Sequence, residues 1–336
     1  MQPFEYTPPE ARELLGKQIR ELGLKLDGSP VEKYVQQLHR ELEAKGLERF
    51  RPACYLSDEW ACPDREPIIG IPFYLADPKL QALERSLNDL EDEREILMYL
   101  RHEAGHAFNY AYELYEAPEW IELFGPFDRP YVESYTPVPF SRRYVRHIAG
   151  WYAQKHPDED FAETFAVWLT PRSNWRRKYA GWPALRKLEY MDELMKELAG
   201  QTPPVVSRRQ PELLSRLRRT LREHYRIKRR HYGLDHPDFY DRDLKRLFSD
   251  APEHAGNPTA ASFLNRIRRE VRRRVGRWTG AYQYTIDQVL ADIVTRSREL
   301  NLRLAGPEDE AKLEFITLLT VQTMNYLASG RHRVAL

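Results

Sequence analysis

The chain has 336 residues with 42% hydrophobic and 31% charged side chains and a formal net charge of +1, enough for one large domain or two of ordinary size. No apolar run approaches the ~20 residues needed to span a bilayer, so no membrane partner is expected. The start, Met1-Gln2-Pro3-Phe4-Glu5-Tyr6, has neither a basic segment nor an apolar stretch, and with only two cysteines, Cys54 and Cys62, the expected compartment is the cytoplasm with both thiols reduced.

The near-neutral total hides an asymmetry. Residues 205–336 carry 26 Lys+Arg against 16 Asp+Glu, and residues 1–204 carry 26 against 35. A split of this kind suggests two modules. Pro203-Pro204 marks the expected boundary, which gives domains 1–203 and 204–336.

In chain order, Thr7-Pro8-Pro9-Glu10 and Ser29-Pro30-Val31-Glu32 both read as helix starts, and the second helix should stop near Gly46. Residues 50–56 and 68–75 read as strands, with Pro72 forcing the second to an edge. A short helix follows Asp77-Pro78. A long one is expected from about Asp92 to Tyr115, where Ile96, Leu97, Leu100, Ala104, Ala107, Phe108 and Ala111 recur at helical spacing. Residues 117–139 read as irregular, and 141–154 and 185–198 as helices. Pro157 opens another helix that Pro171 ends. Beyond the boundary the pattern is helical and basic over 212–230, 260–277, 282–302 and 308–328.

The chemistry sits in His102-Glu103-Ala104-Gly105-His106. Two His at i and i+4 stand on one helix face, about 6 Å apart along the axis, so both imidazoles can reach one metal ion. Glu103 lies beside that face and can reach a water on the metal, which is the zinc-hydrolase arrangement. Gly105 suggests a neighbouring helix packed too close for a side chain. A third ligand is expected downstream, in His156-Pro157-Asp158-Glu159-Asp160-Phe161-Ala162-Glu163, where Glu159 and Glu163 share a face. One would bind Zn2+ and the other would hydrogen-bond a ligand His. The spacing alone leaves open which does which, and Asp160 points elsewhere.

This second segment resembles the gluzincin motif in which a ligand Glu is followed four residues later by an acidic supporting residue. More widely, residues 50–200 resemble the zinc-binding metallopeptidases of bacteria, a gluzincin-like group. The carrying stretches are Tyr55-Leu56-Ser57-Asp58-Glu59-Trp60, Pro72-Phe73-Tyr74-Leu75, Leu100 to His106, and Trp151-Tyr152-Ala153 through Phe165. The resemblance implies metal ligands His102, His106 and Glu159, with Glu163 as the supporting residue. It also implies Tyr152 as a donor to the oxyanion. His147 is a second candidate for that role, against the plainer reading of a satisfied surface or core histidine.

The expected fold is α+β, a zincin-like metallopeptidase domain with a small sheet and several helices, followed by an all-α basic domain. The expected function is a zinc-dependent peptidase that hydrolyses a peptide or protein substrate through a zinc-bound water, with Glu103 as general base. The strand around Ile69, Gly70 and Ile71 is the candidate for holding an extended peptide by β-augmentation. The rival reading is a non-catalytic zinc-containing scaffold that holds a protein or nucleic-acid partner on its basic helices. Arg208-Arg209, Arg226 to Arg230 with Tyr225, His231 and Tyr232, and Arg266 to Arg277 are dense enough to raise it, although helices whose arginines pair with acidic neighbours explain the same pattern.

Overall fold

The computed structural model describes residues 9–87, 90–132, 135, 137–138, 140–148, 151–207, 209–210, 213–232, 241–281 and 283–328. Thr7 and Pro8 of the first predicted cap, Arg208, Glu212 and Tyr282 lie outside the described residues, as do the side chains of residues 229–232. The chain divides into two compact units, the first comprising residues 1–133 and 137–224 and the second 134–136 and 225–335. No described helix is long and apolar enough to cross a membrane.

The boundary falls at Tyr225 and not at Pro203-Pro204, because the chain beyond the two prolines adds main-chain bonds to the first unit. Val205 N donates to Ala111 O at 3.1 Å, and Ile19 N and Arg20 N donate to Arg219 O and Leu217 O, both at 3.1 Å.

The first unit runs α1 (Pro9–Gly16), α2 (Glu32–Ala44), β1 (Ala53–Ser57), β2 (Ile68–Pro72), α3 (Pro78–Leu87), α4 (Glu93–Ala111), α5 (Pro118–Phe124), α6 (Pro157–Leu169), α7 (Trp175–Lys178) and α8 (Ala184–Glu197), and reaches the start of α9 (Leu221–Tyr232). Among the described residues its sheet is the parallel pair β1–β2, with Ala53 opposite Ile68 and Ser57 opposite Pro72. Helix α4 begins at a reciprocal cap in which Asp92 accepts from Arg94 N and Glu95 N while Glu95 reaches back to Asp92 N. From Tyr99 to Ala111 it is buried on every side. Arg101 fastens it to α2 through a buried two-pronged bond to Glu41, both contacts 2.7 Å.

Several stretches depart from the expected pattern: α5 lies within the segment 117–139 read as irregular, the helix expected over 212–230 begins only at Leu221, and two further departures have a local cause. Residues 141–148 are not helical, and only Tyr152–Gln154 forms a 3-10 turn. Glu163 explains this locally. Its carboxylate accepts the main-chain N–H of His147 at 3.2 Å and of Ile148 at 2.9 Å, donors a helix would have used otherwise. After Pro72 the expected strand gives way to a 3-10 turn over Phe73–Ala76.

The second unit contains the rest of α9, then α10 (Asp241–Leu247), β3 (Phe248–Ser249), α11 (Ala260–Thr279), α12 (Gln283–Glu299), β4 (Arg303–Leu304) and α13 (Glu308–Ala328). β3 and β4 pair antiparallel. Thr259 caps α11 by accepting from Ser262 N, and Gly280 ends it at φ +66°, where a left-handed residue closes the last turn. Phe263, Val271, Val275, Ile286, Ile293 and Phe315 form its core. Several of its arginines pair inside the unit. Arg268 grips Asp287, Arg296 holds Asp241 with two 2.6 Å bonds, Arg274 lies 3.0 Å from Glu270, and Arg266 contacts Glu308.

Candidate metal centre

Helices α4 and α6 approach until a single side chain would not fit between them. A Cβ on Gly105 would lie 2.7 Å from Ala162 Cα and 2.9 Å from Ala162 O. One turn further along, Phe108 stacks on Phe165 with ring centroids 5.3 Å apart. This contact sets His102 and His106 against Glu159 and Glu163. Helix α6 starts where needed because His156 caps it, its Nδ1 accepting from Asp158 N, and Pro157 supplies its first residue.

The donors converge. His102 Nε2 and His106 Nε2 lie 3.1 Å apart, and Glu159 Oε2 is 3.0 Å from the first and 3.1 Å from the second. His102, His106 and Glu159 are all buried, and among the described residues they are the group able to hold a metal ion. The outer nitrogens are also occupied. His102 Nδ1 meets Glu163 Oε1 at 3.1 Å, and His106 Nδ1 meets Asp158 Oδ2 at 2.8 Å. A carboxylate on the far nitrogen fixes ring orientation and raises the basicity of the facing one. Glu159 therefore faces both imidazoles at one point, and Glu163 sits on the opposite side of the His102 ring.

Electrostatics follow from this packing. Burial pulls the His102 imidazole down, but its hydrogen bonds to the Glu159 and Glu163 carboxylates outweigh it and push it up to about 9. His106 rises well above its ordinary value despite burial, through Asp158 and Glu159. Burial also works against the Glu159 carboxylate, yet the two imidazoles hold it well below the usual range. Glu103 is buried, and that burial raises its carboxyl above the usual value against the pull of His102 and His106.

The other expected residues separate cleanly. Tyr152 is buried at the centre, its hydroxyl donating to Glu159 Oε1 at 3.0 Å. His147 is turned away and donates from Nε2 to Met98 O at 2.9 Å. Asp160 bonds Lys187. Ile69, Gly70 and Ile71 do not form an open edge. All three are buried, and Gly70 exchanges both main-chain bonds with Ala61, N to O at 2.7 Å and O from N at 3.3 Å. A peptide adding there would have to displace Ala61, so the expected substrate strand is corrected.

Five contributors, Asp158, Asn109, Tyr110, Tyr131 and Lys155, were not read from the sequence. Asp158 receives Asn109 Nδ2 at 2.7 Å and Tyr110 OH at 2.5 Å besides His106. Tyr131 donates from its hydroxyl to Glu159 Oε1, and Lys155 stands behind both phenols. For Asp158 a signal existed: a ligand His needs an acceptor on its second nitrogen, and Glu163 can serve only one of the pair.

Two imidazoles and a carboxylate around one point, each imidazole backed by a second carboxylate, make a site able to hold a metal ion. Residues 66–179, about a third of the chain and containing every one of these groups, match the family described as "Putative zinc-binding metallo-peptidase". No curated protein and no solved structure matches the chain.

Proposed function

We propose that the chain is a zinc-dependent peptidase acting on peptide or protein substrates, with its first unit a zincin-like catalytic domain. The carrying observation is the convergence of His102 Nε2, His106 Nε2 and Glu159 Oε2, with both outer imidazole nitrogens held by carboxylates. His102, His106 and Glu159 would supply three protein donors to a zinc ion, the number that catalytic zinc sites use, whereas structural sites take four. That favours the peptidase over a scaffold that keeps zinc for its fold. Free Cys54 and Cys62 fit a reducing compartment such as the cytoplasm.

Bound zinc supplies a Lewis acid that brings the pKa of water toward ~7. Glu103 takes the proton of the attacking water on its carboxylate and later returns it to the leaving amine. Its burial, which raises its affinity for a proton, suits a group that must hold one between the two transfers. The Tyr152 hydroxyl, whose one proton rests on Glu159 Oε1 in the substrate-free site, would turn that proton to the oxygen of the attacked carbonyl as charge builds there, while Tyr131 keeps its own bond to Oε1. Glu163 and Asp158 keep His102 and His106 oriented.

The test is digestion of a peptide library by the zinc-loaded full chain, with and without a chelator. Cleavage that stops on chelation and returns with zinc supports the peptidase. Zinc bound by these residues with no peptide cut rejects it in favour of the scaffold.

Two further outcomes are expected. Asp158→Asn leaves His106 with a neutral partner and weakens zinc binding roughly 10- to 100-fold, measurable by competition with a chromogenic chelator. The second concerns pH. His102, at about 9 without metal, carries a proton at neutral pH that metal binding must expel. Because the metal-free state binds more protons, zinc affinity rises with pH, by roughly tenfold per unit for each proton displaced, until both imidazoles are neutral. Calorimetry at pH 7 in two buffers of different ionisation enthalpy reads the protons released; zero release would show that the carboxylates do not hold these imidazoles charged.

A further inference from the structure

Lys155 closes the 3-10 turn Tyr152–Gln154, just before α6, and is buried beside the metal centre. Its Nζ donates to the Tyr131 hydroxyl at 2.7 Å and to the Tyr152 hydroxyl at 3.2 Å. An ammonium group has donors and no acceptor, so each phenol oxygen accepts from it and each phenol proton must point elsewhere. Both point at one atom. Tyr152 donates to Glu159 Oε1 at 3.0 Å, and Tyr131 donates to the same oxygen in a shorter contact. The other oxygen, Oε2, is the one between the two imidazoles.

We propose that Lys155 is a positioning residue which, through Tyr131 and Tyr152, clamps Glu159 Oε1 and so presents Oε2 alone to the metal. The inference rests on the reading of His102, His106 and Glu159 as metal donors. The physical need for a clamp is plain. The last torsion of a glutamate is broad and cheap to turn, so a ligand Glu left to itself swings its second oxygen toward the ion. A second oxygen there takes up the position that water and substrate require. Two phenol donors on Oε1 oppose that swing, and the cation behind them strengthens both bonds by polarising the phenols. The same chain links a buried lysine to a buried carboxylate, so neither charge lies uncompensated. Tyr131 reaches in from the surface, with its side chain more than half exposed and its hydroxyl on Glu159.

The probes are cobalt(II), read by its visible ligand-field bands, and zinc, read by competition titration. Both are applied to the full-length chain as parent, K155M, K155R, Y131F and the double variant Y131F/Y152F. The expected result is that K155M and Y131F/Y152F lose cobalt band intensity as the coordination number rises. Their zinc Kd weakens roughly tenfold as Glu159 loses its orientation. Y131F falls between these and the parent, and K155R recovers most of the parent spectrum. Bands and zinc Kd equal to the parent's in both K155M and Y131F overturn the clamp. Should K155M fail to fold by near-ultraviolet circular dichroism, Y131F and the double variant decide alone, since Tyr131 is largely exposed. A parent that binds cobalt but cleaves no peptide rejects the peptidase reading and still tests the clamp. A parent that binds no metal overturns both.

Discussion

Glu103→Gln is expected to bind zinc as the parent does and to hydrolyse peptides roughly 10²- to 10⁴-fold more slowly, the usual contribution of a positioned general base. The three converging donors do not include Glu103, so the metal keeps all of its protein ligands. Gln has nearly the same shape but cannot take a proton from water. The fold should tolerate the change, because a neutral amide in this pocket avoids the burial that already opposes ionisation of Glu103. The loss therefore falls on kcat, with little change in KM. The contrasting variant is Glu159→Gln, in which the negative charge facing both imidazoles is lost and metal binding falls with activity. Zinc content by atomic absorption beside kcat on a substrate from the library separates the two. A Glu103→Gln enzyme within about threefold of parental kcat would mean that another group moves the proton.

The site was legible where its chemistry follows helical periodicity. His102 and His106 at i, i+4, and Glu159 and Glu163 at i, i+4, each fix a face before any fold is known. The capping pair at Asp92 and Glu95 and the proline at 157 announce the two helices that carry them. What the sequence hid are contacts that depend on how those helices cross. Asp158 bonds His106, Asn109 and Tyr110 of α4, and nothing in its own neighbourhood distinguishes it from Asp160, which instead pairs with Lys187. Tyr131 comes from an irregular aromatic stretch with no period to read. The expected helix over 141–154 fails for a related reason. Its apolar spacing is real, with Val145 and Ile148 buried, but Glu163 takes the main-chain donors of His147 and Ile148, and Trp151 adopts φ +55°. Local propensity gave way to a buried carboxylate that must be satisfied. In the second unit α11 and α13 run close to their predicted lengths.

Gly105→Ala tests the helix crossing on which the site depends, and two opposed effects decide its sign. In a helix interior Ala is favoured over Gly by roughly 1 kcal/mol. Against this, the new Cβ would sit 2.7 Å from Ala162 Cα and 2.9 Å from Ala162 O, both main-chain atoms that no rotamer change can move aside. Relief requires α4 and α6 to separate, at an overpacking cost of about 1–3 kcal/mol or more. Contact with backbone at this distance belongs at the upper end of that range, so the clash wins. A net loss of roughly 2 kcal/mol is expected, which lowers Tm by about 4–8 °C for a unit of this size. Gly105→Val adds two methyl groups at the same point, and for it roughly twice that loss is expected. The separation also draws Glu159 Oε2 from the two Nε2 atoms, so zinc affinity falls even in the molecules that remain folded. Thermal denaturation of the metal-free variants isolates the packing cost, and zinc titration well below Tm isolates the displaced carboxylate. An alanine variant that melts higher than the parent and binds zinc equally well would show that the two helices have room at Gly105, and the close crossing would then not be what brings Glu159 to the histidines.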